Sequence, residues 1–249
     1  MISKLVKIIS TAGMLAVFGF ANNSYSADAT GTSGLTPGMI AGIGGDIGFA
    51  INENTDTKFT PNGTDFATFS AKKDTSYGVY GIVGYMMENG IEGALEVGYR
   101  QFKQKDKVSE STFKSKQMFG MIRGTYYLDM QTMVYPYLMA GIGLARSDIS
   151  ASLVKDAGNA ATDVATIDSL KVNKFAYQAG VGISTVMQSA ILSVGYKYFG
   201  IAQIDDKDSS TDAVYTDFAG AAPADLTKVK FGKISQNIHT VEANVKLVF

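Results

Sequence analysis

The chain has 249 residues and nearly balanced charge, with 22 Lys and Arg against 23 Asp and Glu. That balance argues against a nucleic-acid partner, which usually requires a basic excess. The sequence has no Cys and one His, His239, which excludes disulfides, thiolate metal sites and paired-His metal sites. Charged residues are 18% of the chain, below the roughly 25% of soluble domains.

The amino terminus is predicted to be a signal peptide, residues 1–26. Two Lys precede a mostly apolar run over 8–20, which is too short for a stable membrane anchor, and small residues follow before Ala27. A buried amphipathic helix is the alternative, but the order of charge, apolar run and small residues favours the signal. Residues 27–38 are predicted to form a flexible periplasmic lead-in, and 39–249 the outer-membrane domain.

The rest of the sequence divides into eight segments rich in Gly, Val, Ile, Tyr and Phe. Tight and long connections alternate between them, which is typical of outer-membrane barrels with short periplasmic turns and long external loops. The sequence therefore predicts an all-β fold, an eight-stranded antiparallel up-and-down transmembrane β-barrel. The predicted strands are 39–51, 77–87, 91–103, 115–128, 133–146, 174–187, 190–202 and 234–249. The tight turns are 88–90, 129–132 and 188–189, and the long loops are 52–76, 104–114, 147–173 and 203–233.

Charged and apolar residues occupy opposite phases of these strands. In the last strand, Val241 and Val245 alternate with Glu242 and Lys246. Because successive strand residues face opposite sides, every mid-strand charge can lie on one face. This alternation also fits a soluble sandwich or lipocalin-like barrel with its apolar face inward.

Two features favour the membrane form. Both phases of the strand at 133–146 are nearly uncharged, so neither side of it is suited to water. In the other strands, the face that contains the charges has equal numbers of acids and bases, which suits a sealed interior where unpaired charge is costly. The predicted inward set is Asp46, Glu92, Glu96 and Glu242 with Arg100, Arg123, Lys197 and Lys246.

Tyr and Phe are predicted to form the two membrane-interface belts, since the chain lacks Trp. The belt at the tight-turn end contains Tyr85, Tyr126, Tyr135 and Phe249, and the belt nearer the long loops contains Phe49, Tyr99, Tyr177 and Tyr198.

Four segments resemble a known family: PYLMAGIGLA at 136–145, FAYQAGVGIS at 175–184, LSVGYKYF at 192–199 and VEANVKLVF at 241–249. They are similar to the small eight-stranded outer-membrane barrels related to OmpA, OmpX and the opacity proteins, and most of all to rickettsial-type surface adhesins. The terminal Phe249 resembles the signal read by the outer-membrane assembly machinery. The resemblance implies a location in the bacterial outer membrane. Family members include adhesins, serum-resistance factors, structural barrels and a few enzymes, so the fold does not settle the function.

The long external loops are the predicted functional part. Loops 147–173 and 203–233 are far longer than hairpins require and contain apolar and aromatic residues that a solvated spacer would not need. The predicted contacts for a host surface or serum protein are Leu153, Ile167, Tyr215, Phe218 and Phe231. The alternative is a structural barrel without a ligand, in which strands extend beyond the membrane and these residues pack together.

Two further functions are disfavoured. A narrow pore conflicts with eight strands enclosing little more than their own side chains. A lipid-modifying enzyme needs a base beside a nucleophile, yet His239 lies in the lipid-facing phase and Thr240 points the other way. We therefore expect no enzymatic activity, no cofactor and no metal, and expect outer-membrane lipid as a partner.

Overall fold

The computed structural model describes most of the chain after the predicted lead-in. The described residues are 35–50, 57–61, 67–69, 75–105, 112–128, 134–154, 164–204, 214–216, 229–231 and 234–249. The predicted signal peptide and cleavage site, residues 27–34 of the predicted lead-in, and Phe218 lie outside them. Leu35, within the predicted lead-in, is buried and packs in the cluster that contains Ile40 and Met86.

Eight long antiparallel strands pair in sequence order, and the first and last close the sheet. The predicted fold class is therefore confirmed. The barrel strands are β1 (Gly38–Ala50), β4 (Thr75–Met86), β5 (Ile91–Lys105), β6 (Thr112–Tyr127), β7 (Val134–Val154), β8 (Val164–Met187), β9 (Ala190–Ile204) and β12 (Ile234–Val248). Four short strands lie in the external connections: β2 (Thr57–Pro61), β3 (Ala67–Phe69), β10 (Val214–Thr216) and β11 (Val229–Phe231).

The tight turns and both ends of the barrel lie together. Gly90 ends the first turn with φ of 74°, a conformation that favours glycine, and Gln188 takes φ of 58° in the third. At the same end, the Phe249 amide donates to the Met39 carbonyl at 2.9 Å. The long connections consequently share the opposite end, as the sequence predicted.

Two strands are much longer than predicted. β7 continues to Val154 and β8 begins at Val164, and Leu153 pairs with Ala165 across them. The predicted loop 147–173 is therefore wrong for most of its length, because these residues form a hairpin that extends the sheet. The sequence did not indicate these strand extensions, because residues 147–173 are largely polar and do not show the alternation of apolar residues that is typical of a membrane-spanning strand.

The barrel has its apolar residues outside and its charges inside. Leu144, Ile122 and Val97 are 67%, 66% and 65% exposed, whereas Arg100 and Lys197 are fully buried. A soluble barrel would have the opposite polarity, so the transmembrane prediction is confirmed. Within the described ranges, no helix is long and apolar enough to cross a membrane.

One residue of the predicted aromatic belts, Tyr135, faces the lumen and not the membrane, so that prediction is wrong. Tyr135 is buried and faces inward with Tyr137, whereas Tyr85 and Tyr126 are exposed on the outer face as predicted. The reason is the phase of β7, where Val134 and Leu138 take the outward positions.

Candidate functional site

The lumen contains the eight charged residues that the sequence predicted to face inward. All of them are buried, in two sets of equal and opposite charge. The acids are Asp46, Glu92, Glu96 and Glu242, and the bases are Arg100, Arg123, Lys197 and Lys246. Their inward orientation is confirmed, and each base lies within ion-pair distance of at least one acid.

Lys197 is at the centre of this network. Its Nζ lies 2.9 Å from Glu242 Oε2, 3.1 Å from Asp46 Oδ2 and 3.7 Å from Glu96 Oε1. Three strands converge on this ammonium, because Asp46 comes from β1, Glu96 from β5 and Glu242 from β12. A buried charge is tolerated only when it is compensated in this way.

Arg100 is held by both charge and aromatic contact. Its Nη2 donates to Asp46 Oδ2 at 2.6 Å and its Nε donates to Asp46 Oδ1 at 3.3 Å, the paired geometry that suits a guanidinium. The guanidinium carbon lies 4.1 Å from the ring centre of Phe199 and 5.5 Å from that of Phe119. The two phenyl rings therefore supply cation–π contact to the buried guanidinium.

Two further ion pairs complete the set. Arg123 Nη1 donates to Glu96 Oε2 at 3.0 Å, and Gln178 donates to the same oxygen at 3.2 Å. Lys246 Nζ lies 2.5 Å from Glu92 Oε2 and also contacts the Tyr127 hydroxyl. Among the described residues, Lys246 has one carboxylate within ion-pair distance, whereas Lys197 has three.

Two tyrosines bracket Glu242 in spaces left by glycines. Tyr80 and Tyr137 donate their hydroxyls to Glu242 at 2.9 Å and 3.1 Å. A Cβ placed on Gly44 would lie 2.4 Å from the Tyr80 ring, and one on Gly195 would lie 2.2 Å from the Tyr137 hydroxyl. The sequence alone did not predict that these glycines make room for tyrosine side chains. Glycine recurs at inward positions of several strands, and large residues such as Tyr80 and Tyr137 occupy inward positions of others. This pattern could have indicated that the glycines make room for the large side chains.

The buried ion pairs determine whether the lumen is open or filled. Arg100, Arg123, Lys197 and Lys246 are all fully buried, so their bulk and their ion pairs fill the barrel at mid-height. Arg100 ties β5 to β1, Lys197 ties β9 to β1, and Lys246 ties β12 to β5, so these three bases join strands that are not consecutive in sequence. Arg123 joins the consecutive strands β6 and β5. This arrangement stabilises the barrel and disfavours a diffusion pore.

His239 lies on the outer face, as predicted from its phase. Its Nδ1 forms a hydrogen bond with the Tyr196 hydroxyl, and its ring lies edge-on to that of Tyr198 with centroids 5.1 Å apart. Tyr177 continues this aromatic cluster, 6.0 Å from Tyr198. The histidine is therefore part of an aromatic surface at the membrane-facing side of β8, β9 and β12.

The external connections are joined by short paired strands. Strand β10 pairs with the extended part of β8, with Tyr215 opposite Ala165. Strand β11 pairs with β2, with Phe231 opposite Phe59, and β2 also pairs with β3. The segment after β9 is thus bonded both to the β7–β8 hairpin and to the first external connection.

Four of the five predicted contact residues lie on this external structure, and the fifth, Phe218, lies outside the described residues. Leu153 and Ile167 lie on the β7–β8 hairpin, Ile167 opposite Ala151, and Tyr215 lies on β10 beside the same hairpin. Phe231 lies on β11, in the separate three-stranded sheet. The backbone thus brings Leu153, Ile167 and Tyr215 to one part of the external end and Phe231 to another.

Comparison with known proteins yields distant structural similarity. No protein-family model and no curated protein matches the chain. Neisserial surface protein A is 17% identical, with 88% of this chain and 99% of that chain covered at a TM-score of 0.43. OprG from Pseudomonas aeruginosa is 13% identical, with 85% and 97% covered at 0.48. Ail, the attachment invasion locus protein of Yersinia pestis, is 10% identical, with 84% and 99% covered at 0.36.

The barrel's architecture identifies the type of fold. It is closed, it has an even number of antiparallel strands, and its tight turns and long connections lie at opposite ends. Its outer face is apolar and its lumen is charged. Such architecture is that of outer-membrane barrels. The chain is therefore an eight-stranded β-barrel of the outer membrane.

Proposed function

We propose that this barrel is a surface adhesin of the rickettsial type, which binds a host surface or serum protein through its external segments. The observation that carries the proposal is the strand pairing outside the membrane. The segment after β9 pairs with β8 through β10 and with β2 through β11. Pairing of this kind holds distant segments together, which lowers the entropic cost of presenting a binding surface.

The lumen supports the same proposal indirectly. Its mid-height is filled by buried ion pairs, so the part of the molecule able to meet a large partner is the external end. Apolar and aromatic residues at that end, including Leu153, Tyr215 and Phe231, suit the core of a protein interface.

The proposal is tested by shortening the external segments one at a time. In one variant a two-residue turn replaces 150–168, and in another a short Gly-Ser connection replaces 206–232. The matched control shortens 106–111, where no contact residue is predicted. Binding of barrel-displaying cells to an array of host-surface and serum proteins is measured, with heat-modifiable electrophoretic mobility as the test of folding.

We expect at least one of the two variants to fold and to lose binding about tenfold or more, since truncating hot-spot residues costs at least that much. The control is expected to bind as the parent does. If both variants fold and bind like the parent, the adhesin proposal for these segments is wrong and a structural barrel without a ligand is the better account.

A further inference from the structure

The outer face of four neighbouring strands, β5 to β8, changes from apolar to basic towards the external end. Residues that pair side by side across these strands form rows around the barrel. The last row without a polar side chain consists of Val97, Gly120, Leu144 and Phe175, each paired with the next. Beyond it, the outward positions bring in five exposed basic residues, which we call the basic face. They are Lys103, Lys114, Lys116, Arg146 and Lys171.

The register places these bases side by side. Lys103 is directly opposite Lys114 on the neighbouring strand. Like charges in opposite positions destabilise a sheet unless something lies between them to compensate. The facing pair of Lys103 and Lys114 therefore favours an anion bound at this point.

Acidic residues do not balance the basic face. In the rows that contain Lys116, Arg146 and Lys171, the one acid is Asp148, which is opposite Lys116 on one side and Lys171 on the other. Among the outward residues of β5 to β8 beyond Leu144 whose side chains the structure describes, five are basic and one is acidic, in a protein whose formal net charge is -1. This excess of positive charge is local and is not a property of the whole chain.

The basic face occupies half of the barrel's circumference. On β1, β4, β9 and β12, the outward positions that the structure describes contain no Lys or Arg. That half has the aromatic cluster of Tyr196, Tyr198 and His239 instead. General solubility of the external rim would not require such an asymmetry, whereas recognition of an anionic partner on one side would.

Continuity with the apolar band identifies the partner. Arg146 is two residues beyond Leu144 on the same face of β7, which is about 7 Å along the strand. Leu144 is 67% exposed and Phe175 is 47% exposed, so both are available to acyl chains. A lipid whose chains cover these two residues brings its headgroup to the height of Arg146 and Lys171.

We propose that the basic face binds the phosphate groups of an anionic lipid in the outer leaflet of the membrane. Arg146 suits a phosphate because a guanidinium donates two parallel hydrogen bonds, and the lysines act as point charges around it. Clusters of Lys and Arg next to a membrane-spanning segment bind anionic headgroups on the same electrostatic grounds. The bound lipid would then orient the barrel and anchor one side of it.

The test compares lipid retention by the full barrel and by a charge-neutralised variant. Lys103, Lys114, Lys116, Arg146 and Lys171 are changed together to Gln. The matched control changes five lysines elsewhere in the chain to Gln, namely Lys72, Lys73, Lys155, Lys207 and Lys228, so that its net charge is the same. Each protein is purified in neutral detergent doped with diphosphorylated lipid A, and the bound lipid is counted by native mass spectrometry.

We expect the parent and the control to retain the lipid, and the basic-face variant to retain it at least about tenfold less tightly. Retention by the parent should weaken as salt is raised, because ionic contacts at a surface are screened. Heat-modifiable mobility verifies that all three barrels are folded.

Three results would overturn the proposal. Equal retention by the basic-face variant would show that these residues do not hold the lipid. Equal retention of dephosphorylated lipid A would show that phosphate is not recognised. Binding of millimolar inorganic phosphate with displacement of the lipid would show that the face is a general anion site and not a lipid site.

Discussion

At the scale of single residues, the lumen differs in how far each base is supported. Among the described residues, Lys246 has Glu92 as its one ion-pair partner, whereas Lys197 has Asp46, Glu96 and Glu242. Removing the acid of a single pair leaves a buried charge uncompensated, and removing one of three does not. The redundancy around Lys197 should therefore appear in the stability of the barrel.

We predict that Glu92→Gln lowers the free energy of unfolding by about 3–5 kcal/mol and that Glu242→Gln lowers it by less. In the second variant the amide oxygen can accept from one of Tyr80 and Tyr137, and the amide NH2 can donate to the hydroxyl oxygen of the other. Urea unfolding of the barrel in lipid vesicles, followed by circular dichroism, measures both. Adding Lys246→Met to Glu92→Gln should recover most of the loss, and a Glu242→Gln barrel as unstable as Glu92→Gln would contradict the redundancy.

The lumen glycines make a second residue-scale prediction. A methyl group on Gly195 would lie 2.2 Å from the Tyr137 hydroxyl and 2.7 Å from the Val181 carbonyl oxygen, whereas one on Gly124 meets nothing within 4 Å. We expect Gly195→Ala to destabilise the barrel by about 1–3 kcal/mol, because overpacking forces neighbours to move. Gly124→Ala is the control and should be neutral or slightly stabilising. Equal unfolding midpoints for the two variants would contradict the packing argument.

At the scale of elements, the sequence predicts strands well inside the membrane and poorly outside it. The alternation of apolar and charged residues places β5 and β12 to within two residues at each end. The same rule fails for the hairpin from 147 to 173, where water can satisfy both faces and no alternation is needed. The pairings of β10 and β11 depend on contacts between segments distant in sequence, which no local pattern encodes.

The candidate site was also predictable only in part, and the predictable part lies inside the membrane-spanning strands. All eight lumen charges are predictable, because their phase and balance are visible in the strands. The hydrogen bonds of Tyr80 and Tyr137 to Glu242 are not, since each joins strands separated by more than 100 residues. The basic face is predictable only in part, because Lys103, Lys114 and Lys116 lie in one basic segment of the sequence. Arg146 and Lys171 join them only through the register of β6 to β8.

Phe249 should govern assembly in the cell more than it governs the stability of the barrel. Phe249 contributes a backbone hydrogen bond to Met39 and a half-exposed ring at the periplasmic end. We predict that deleting Phe249 sharply lowers the amount of heat-modifiable barrel in the outer membrane, yet leaves refolding of purified protein into vesicles nearly unchanged. The difference between the two measurements separates a signal read by the assembly machinery from a loss of stability. A parallel decline in both would assign Phe249 to stability alone.

At the scale of the whole molecule, the outward rows define how deep each strand lies in the bilayer. Along β7 the outward apolar positions run from Val134 to Leu144, with Ala140 near their centre. On β12, Asn237 lies outward near the external end of the barrel, on the half opposite the basic face. The cost of an outward charge in a barrel is greatest at the bilayer midplane and falls towards the interface.

We therefore predict that Ala140→Arg lowers the free energy of unfolding by about 2–4 kcal/mol and that Asn237→Arg lowers it by about 0–1 kcal/mol. Both substitutions add the same side chain to an outward position, so the comparison isolates depth from charge and size. Urea titrations in lipid vesicles give both values. In a detergent micelle, where the arginine reaches water more readily, the gap between them should narrow. A larger cost at Asn237 than at Ala140 would mean that the membrane lies closer to the external hairpins than the apolar rows indicate.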